Sequence, residues 1–144
     1  MAGLGYQNRV VEHAQTTRSA REAAQAIGCS VAQIVKSLIF RTKDSHRPVL
    51  VLASGPNRVN EARLGELVME AIERADPDFV QSVTGFAIGG VPPVGHRTPI
   101  TTLIDEDLMH FEEIWAAAGT PNAVFKLTPA EMAAMTHGQV VSIK

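Results

Sequence analysis

The sequence predicts an α+β fold: a mixed, largely antiparallel, twisted sheet with helices packed around it. Three observations carry this expectation. Short strand-like apolar segments alternate with segments whose apolar residues recur at helical spacing. At least two strand pairs are joined by links too short for a helical crossover, which excludes a purely parallel sheet. Apolar residues make up 45% of the 144 positions and charged residues 19%, the balance of a chain that buries a core without disulfides or metal. Residues 1–144 are therefore expected to form a single domain.

The elements follow in order. Ser19-Ala20-Arg21-Glu22 has the spacing of a capping box and predicts a helix that runs through Ala23, Ala24 and Ile27 and stops at Gly28. Ser30 is placed to cap a second, short helix over 31–35. The period then changes: 37–41 and 48–53 read as strands, and the polar link Lys43-Asp44-Ser45-His46-Arg47 makes them a hairpin. Ser54-Gly55-Pro56-Asn57 is a loop by composition. Asn60 caps a helix whose Leu64, Leu67, Val68, Ala71 and Ile72 share one face. Asp76-Pro77-Asp78 ends it and starts a further helical turn through 79–83. A short strand over 86–88 leads into Gly89-Gly90-Val91-Pro92-Pro93-Val94-Gly95-His96. Residues 99–104 form a strand and 105–110 a helical turn. Strands over 113–116 and 123–126 flank the turn Gly119-Thr120-Pro121-Asn122. Thr128-Pro129-Ala130-Glu131 opens a helix with a Thr cap, Pro at the first helical position and an acid in the first turn. Residues 139–143 make the last strand.

Several function classes are disfavoured. No apolar run approaches the roughly 20 residues that span a bilayer, and residues 1–9 lack the apolar region of a signal peptide. The single cysteine, Cys29, excludes an intramolecular disulfide and fits a reducing cytoplasm. A net charge of −2 is unlike proteins that grip long stretches of nucleic acid backbone. Contact with RNA, if made, should involve a small part of it. His13, His46, His96, His110 and His137 show no metal-ligand spacing, so no metal or other cofactor is expected. There is no Gly-x-Ser-x-Gly elbow and no Walker loop. Cys29 reads as a small packing residue.

Two features stand out. In the segment 89–96, the glycines permit close backbone approach to a ligand and the prolines stiffen the loop. A rigid loop with uncovered N–H groups suits a carbonyl, carboxylate or phosphate oxygen; a tight turn between strands explains the same composition. Lys36, in Ile34-Val35-Lys36-Ser37-Leu38, sits where a helix hands over to an apolar strand. It can hold a phosphate or carboxylate as a point charge. It can equally snorkel and complement the end of its helix.

Residues 20–40, Ala-Arg-Glu-Ala-Ala-Gln-Ala-Ile-Gly-Cys-Ser-Val-Ala-Gln-Ile-Val-Lys-Ser-Leu-Ile-Phe, together with 89–96 resemble the two hallmark stretches of the YbaK/ProX family of trans-acting aminoacyl-tRNA deacylases. They also resemble the editing insertion of bacterial prolyl-tRNA synthetases. Asn57-Arg58-Val59-Asn60 and Ile104-Asp105 fit the same pattern, and the resemblance covers about residues 10–144. It implies a fold like that of the editing domain and hydrolysis of the ester between a wrong amino acid and the 3′ acceptor end of a tRNA. Such editing serves where binding selectivity between small amino acids is too weak, one methylene being worth only about 10–200-fold. By the same resemblance Lys36 holds the terminal adenosine or its phosphate. The loop of Gly89, Pro93 and Gly95 orients the aminoacyl carbonyl and stabilises developing negative charge through its N–H groups. A water attacks, assisted by the ribose hydroxyl, with no side-chain nucleophile. Thr17, Ser19, Ser37, Gly90, His96 and Gly119 are expected around the substrate.

Two departures matter. Where this chain reads Ala116-Ala117-Ala118-Gly119, some relatives carry Ser. Residues 16–19 lie where relatives vary with specificity, so Ala, Ser, Thr and Cys, on a tRNA(Pro)-type or another acceptor, all stay open. An aminoacyl-tRNA synthetase is a further expected partner. A catalytically silent module that holds an acceptor end or small ligand for a synthetase is the second reading, and a purely structural interaction domain the third.

Overall fold

The run Pro48–Ser54 is apolar at nearly every position, which suits a strand covered on both faces. In the computed structural model, which describes residues 10–12, 24–25, 27–85, 100–117 and 123–144, it is β3, the middle strand of a five-stranded sheet. Val49, Leu50, Val51, Leu52 and Ala53 are all buried. The neighbours are β2 (Val35–Thr42), β4 (Ile72–Arg74), β5 (Thr101–Asp105) and β8 (Gln139–Val141), in the order β4-β2-β3-β5-β8. β2 pairs antiparallel with β3 and β4, while β5 pairs parallel with β3 and β8. A second, antiparallel sheet has the order β1 (Val10–Glu12), β7 (Ala123–Leu127), β6 (Ile114–Ala117). A bridge between Ile34 and Trp115 connects the start of β2 to β6.

Alternation along β3 separates two cores. Leu50 and Leu52 face one, with Val35 and Ile39 of β2, Ile104 of β5 and Ile114, Ala116, Phe125 and Leu127 of the second sheet. Val49, Val51 and Ala53 face the other, with Phe40, Leu64, Ile72, Leu103 and Ile143. Three helices complete these cores, each started by the cap its sequence predicts. Asn60 accepts the Arg63 N–H at 3.1 Å to open α1 (Glu61–Val68). Asp76 accepts the Phe79 N–H at 2.8 Å to open α2 (Pro77–Thr84). Thr128 and Glu131 exchange a reciprocal pair at 3.1 and 2.8 Å to open α3 (Pro129–Thr136). Ala24, Gln25 and Ile27 are helical and Gly28 ends their turn at φ 84°, the left-handed conformation expected of it.

The α+β class with its mixed, mostly antiparallel pairing stands; the details differ in four places. The strands divide between two sheets rather than forming one. α1 stops at Val68, because Met69 turns left-handed at φ 63° and the Met69 and Glu70 N–H groups close on the Glu66 and Gly65 carbonyls. Ala71 and Ile72 therefore leave the helix, and Ile72 pairs with Thr42 in β4. β1 and β4 are not anticipated: Val10–Glu12 has no apolar run around it, and Ile72 of β4 continues the apolar spacing of α1. The short helix after Ser30 is a 3₁₀ turn, Val31–Gln33, and Val35 already belongs to β2. The capping box 19–22, the strand 86–88, the loop 89–96 and the turn 119–122 lie outside the described residues.

The β2–β3 turn is clasped from α1's far end. The Glu70 carboxylate accepts the Asp44 and Ser45 N–H groups at 3.2 and 3.0 Å and the Ser45 hydroxyl at 2.9 Å. The Ser45 N–H is the main reason its carboxyl titrates low, from 4.5 down to about 2. A depressed carboxylate contributes stability above its unfolded pKa and loses it as pH falls through the folded value. Wild-type stability should thus decline between about pH 4.5 and 2 more steeply than that of Glu70→Gln, as read from urea midpoints across this range. Gly138 has no room for a side chain: a Cβ there would lie 2.8 Å from Ile104 Cδ1 and 3.0 Å from Thr136 Oγ1. Gly138→Ala should cost about 1–3 kcal/mol by overpacking, measured by the same denaturation.

Candidate active site around Lys36

Lys36 is the second residue of β2, opposite Ala53 of β3. Its strand neighbours explain its half-buried state, since Leu38 and Phe40, on the same face by alternation, pack into the core beneath α1. The ammonium does not reach back to the 3₁₀ turn before it. Nζ donates to the main-chain carbonyl of Asn57 at 2.7 Å. That carbonyl belongs to the turn that follows β3, closed by the Asn57 N–H donating to Ser54 O at 2.9 Å. The snorkelling explanation of Lys36 therefore gives way to a specific contact. No carboxylate lies within ion-pair distance of Nζ among the described residues. Burial, then the charges of Arg74 and Arg58, hold the lysine below its ordinary pKa, while Asp105 opposes them.

The turn is itself anchored. Asn57 Nδ2 donates to Asp105 Oδ2 and to Asp107 Oδ2, each at 2.7 Å. Asp105 Oδ2 also accepts the Ser54 N–H at 3.0 Å, and Asp105 Oδ1 the Asp107 N–H at 3.0 Å. Lys144 pairs with Asp107 at 2.9 Å, and this bond, followed by the one from Asn57, draws the Asp107 carboxyl below its usual range. The Ser54 hydroxyl donates to Ala32 O at 2.7 Å, tying the turn to the 3₁₀ segment before β2.

Ser37 occupies the opposite face of β2 from Lys36, between Val35 and Ile39 of the other core. Its hydroxyl is buried with no partner among the described residues. It lines a mostly apolar cavity of about 110 Å³ with Ile39, Arg74, Ala75 and Val80. β4 pairs with β2 only over Phe40–Thr42, and the cavity borders β2 over Ser37–Phe40.

Of the residues expected around a substrate, the structure thus places Lys36 and Ser37 at neighbouring positions on opposite faces of one strand. Thr17, Ser19, Gly89, Gly90, Pro93, Gly95, His96 and Gly119 lie outside the described residues. Asn57 and Asp105 had a sequence signal, as members of short matching segments, but no role. Arg58 shares the Asn57 segment; Asp107, Lys144 and Arg74 had no signal, because only the fold brings them near. Burial raises the Cys29 thiol, and Cys29 packs against Ala24 and Ile34, as suits a packing residue rather than a nucleophile. No group of three or more His, Cys, Asp or Glu among the described residues could hold a metal ion, and no helix among them is long and apolar enough to cross a membrane.

The chain is similar to known proteins over most of its length. The model of the aminoacyl-tRNA editing domain matches residues 14–135. A crystal structure of a candidate trans-editing enzyme for prolyl-tRNA synthetase is similar over 99% of this chain and 90% of its own, with 47% identity and a TM-score of 0.93. The uncharacterised protein YwhH of Bacillus subtilis is 28% identical over 93% of this chain and 85% of its own length. The proline–tRNA ligase of Limosilactobacillus fermentum is 30% identical over 69% of this chain, which spans 19% of that ligase. With most of its length matched, the chain belongs to the aminoacyl-tRNA editing domain family.

Proposed function

We propose that this protein is a trans-acting deacylase that hydrolyses the ester of a mischarged aminoacyl-tRNA carrying a small amino acid. The observation that carries the proposal is the state of Lys36. A half-buried ammonium that meets one neutral carbonyl and, among the described residues, no carboxylate is an incomplete ion pair, and desolvated cations are normally paired. The phosphate or ribose end of an acceptor strand is a fitting complement. Only that end need be held, which suits a chain of net charge −2.

In this mechanism Lys36 fixes the terminal adenosine or its phosphate. By the family resemblance, the N–H groups of Gly89 and Gly95, in the loop that holds Gly90 and Pro93, are assigned to orienting the aminoacyl carbonyl and stabilising the oxyanion as water adds. His96, Thr17, Ser19 and Gly119 are assigned to substrate binding by the same resemblance. The ester C–O bond then breaks, the ribose oxygen leaves with a proton, and the free amino acid departs. Ser37, whose hydroxyl is buried and has no partner among the described residues, is assigned to the substrate side of this mechanism. The likeness to a candidate trans-editing enzyme for prolyl-tRNA synthetase makes tRNA(Pro) the first acceptor to try, and that synthetase the natural partner.

A panel of tRNA(Pro) charged with Ala, Ser, Thr or Cys should reveal hydrolysis of at least one ester, and Lys36→Ala should lose about 100-fold or more of it with its circular dichroism unchanged. Binding without turnover across the panel would instead identify a silent module that holds acceptor ends for a synthetase. Ser37→Ala should separate stability from activity. A buried hydroxyl without a partner is destabilising, so its removal should add about 1 kcal/mol and raise Tm by roughly 3 °C. The same variant should show a raised KM for the edited tRNA. A fall in Tm would mean that the hydroxyl has a structural partner.

A further inference from the structure

Among the described residues, Asp105 is the one charged side chain fully buried from solvent. A carboxylate in that position is costly unless its lone pairs are filled. They are filled by the Ser54 N–H, the Asn57 side-chain amide and the Asp107 N–H. Two of these three donors lie at the two ends of one turn, 54–57. The main-chain carbonyl at the end of that turn is the acceptor for Lys36 Nζ at 2.7 Å. Asp105 makes no ion pair with Lys36; its hydrogen-bonded path to the lysine runs through Asn57. All three donors serve the buried charge, and the Ser54 bond among them ties β3 to β5. The second bond, to the Asn57 amide, orients the residue whose carbonyl meets the ammonium.

We infer that Asp105 is a positioning residue for Lys36, acting through Asn57 and the Ser54–Asn57 turn. The catalytic consequence of this link rests on the deacylase reading above; the link itself does not. Asp107, salt-bridged to Lys144, holds the same Asn57 amide from the solvent side, so the amide is fixed between two carboxylates and has little freedom to rotate.

The charge of Asp105 acts alongside its geometry. The charged groups acting on Lys36 are Arg74 from β4, Arg58 from the segment after the turn and Asp105 from the end of β5. Burial and the two arginines favour the neutral amine, and Asp105 alone among these groups favours the ammonium. Removing its charge should lower the Lys36 pKa further, so that the cation is lost at lower pH.

The test follows the Lys36 ammonium directly, by NMR titration of lysine side chains labelled with nitrogen-15, assigned with Lys36→Ala. In Asp105→Asn, Lys36 should titrate at lower pH than in the wild type, and deacylation of the edited tRNA should fall about 10- to 100-fold through kcat, as for a misplaced catalytic group. Should Asp105→Asn fail to fold, Asn57→Ala decides: it retains the main-chain carbonyl and the Asp105 charge but cuts the link. It should lower kcat about 10-fold while displacing the Lys36 titration less than loss of the Asp105 charge would. Lys36 titrating as in the wild type in Asp105→Asn would overturn the inference. So would full deacylation in both variants when Lys36→Ala is inactive. Full activity in Lys36→Ala would refute the deacylase role of Lys36 instead, and the titration would still decide the link.

Discussion

A carboxylate that solvent cannot reach imposes order on everything that satisfies it. Asp105 closes β5, and its two oxygens gather the end of β3, the turn beyond it and the 3₁₀ segment that follows β5. None of these donors is optional, because a buried charge that loses a partner costs several kcal/mol. Registry between β3 and β5 is thereby set at the strand ends as well as by the apolar side chains along them. The same constraint determines where the Asn57 carbonyl lies and so where the Lys36 ammonium comes to rest.

The apolar framework explains why this arrangement can be rigid. β3 is covered on both faces, so neither core can shift without disturbing the other. Lys36 and Ser37 are adjacent in sequence but belong to different faces, and the strand between them is held by β3 along its full length. On the other side β4 reaches only as far as Phe40.

Much of the fold was legible because local chemistry and global packing agree. Asn60, Asp76 and Thr128 cap the helices they precede, Gly28 is left-handed, and the unbroken apolar run 48–53 is the central strand. What escaped the sequence was either too short or too distant. β1 and β4 have three residues each. The apolar spacing through Ile72 mimicked a helix that Met69 ends early, because a buried strand residue and a buried helix residue look alike when taken one at a time. At the site, Lys36 was conspicuous as a cation among apolar neighbours, but its acceptor is a main-chain carbonyl, which no residue identity reveals. Asp105 was visible as part of a short motif; that it is buried, and what fills it, depends on β5 lying beside β3. Lys144 and Arg74 carried no signal, being brought near only by folding.

The parallel pairing of β3 with β5 has a further consequence. The β2–β3 hairpin closes a short loop, whereas β3 and β5 must find each other across the whole stretch that holds α1, β4 and α2. Loop closure of that length is entropically slower to achieve. Lys36 and the turn that receives it sit on the local side of this divide, and the carboxylate that steadies the turn sits on the remote side. The site is therefore completed only by the least local pairing in the sheet. A chain with its hairpin formed but β5 undocked would carry the lysine without its support. The hydrogen bonds that steady the turn therefore arrive with the closure of the sheet and depart with it.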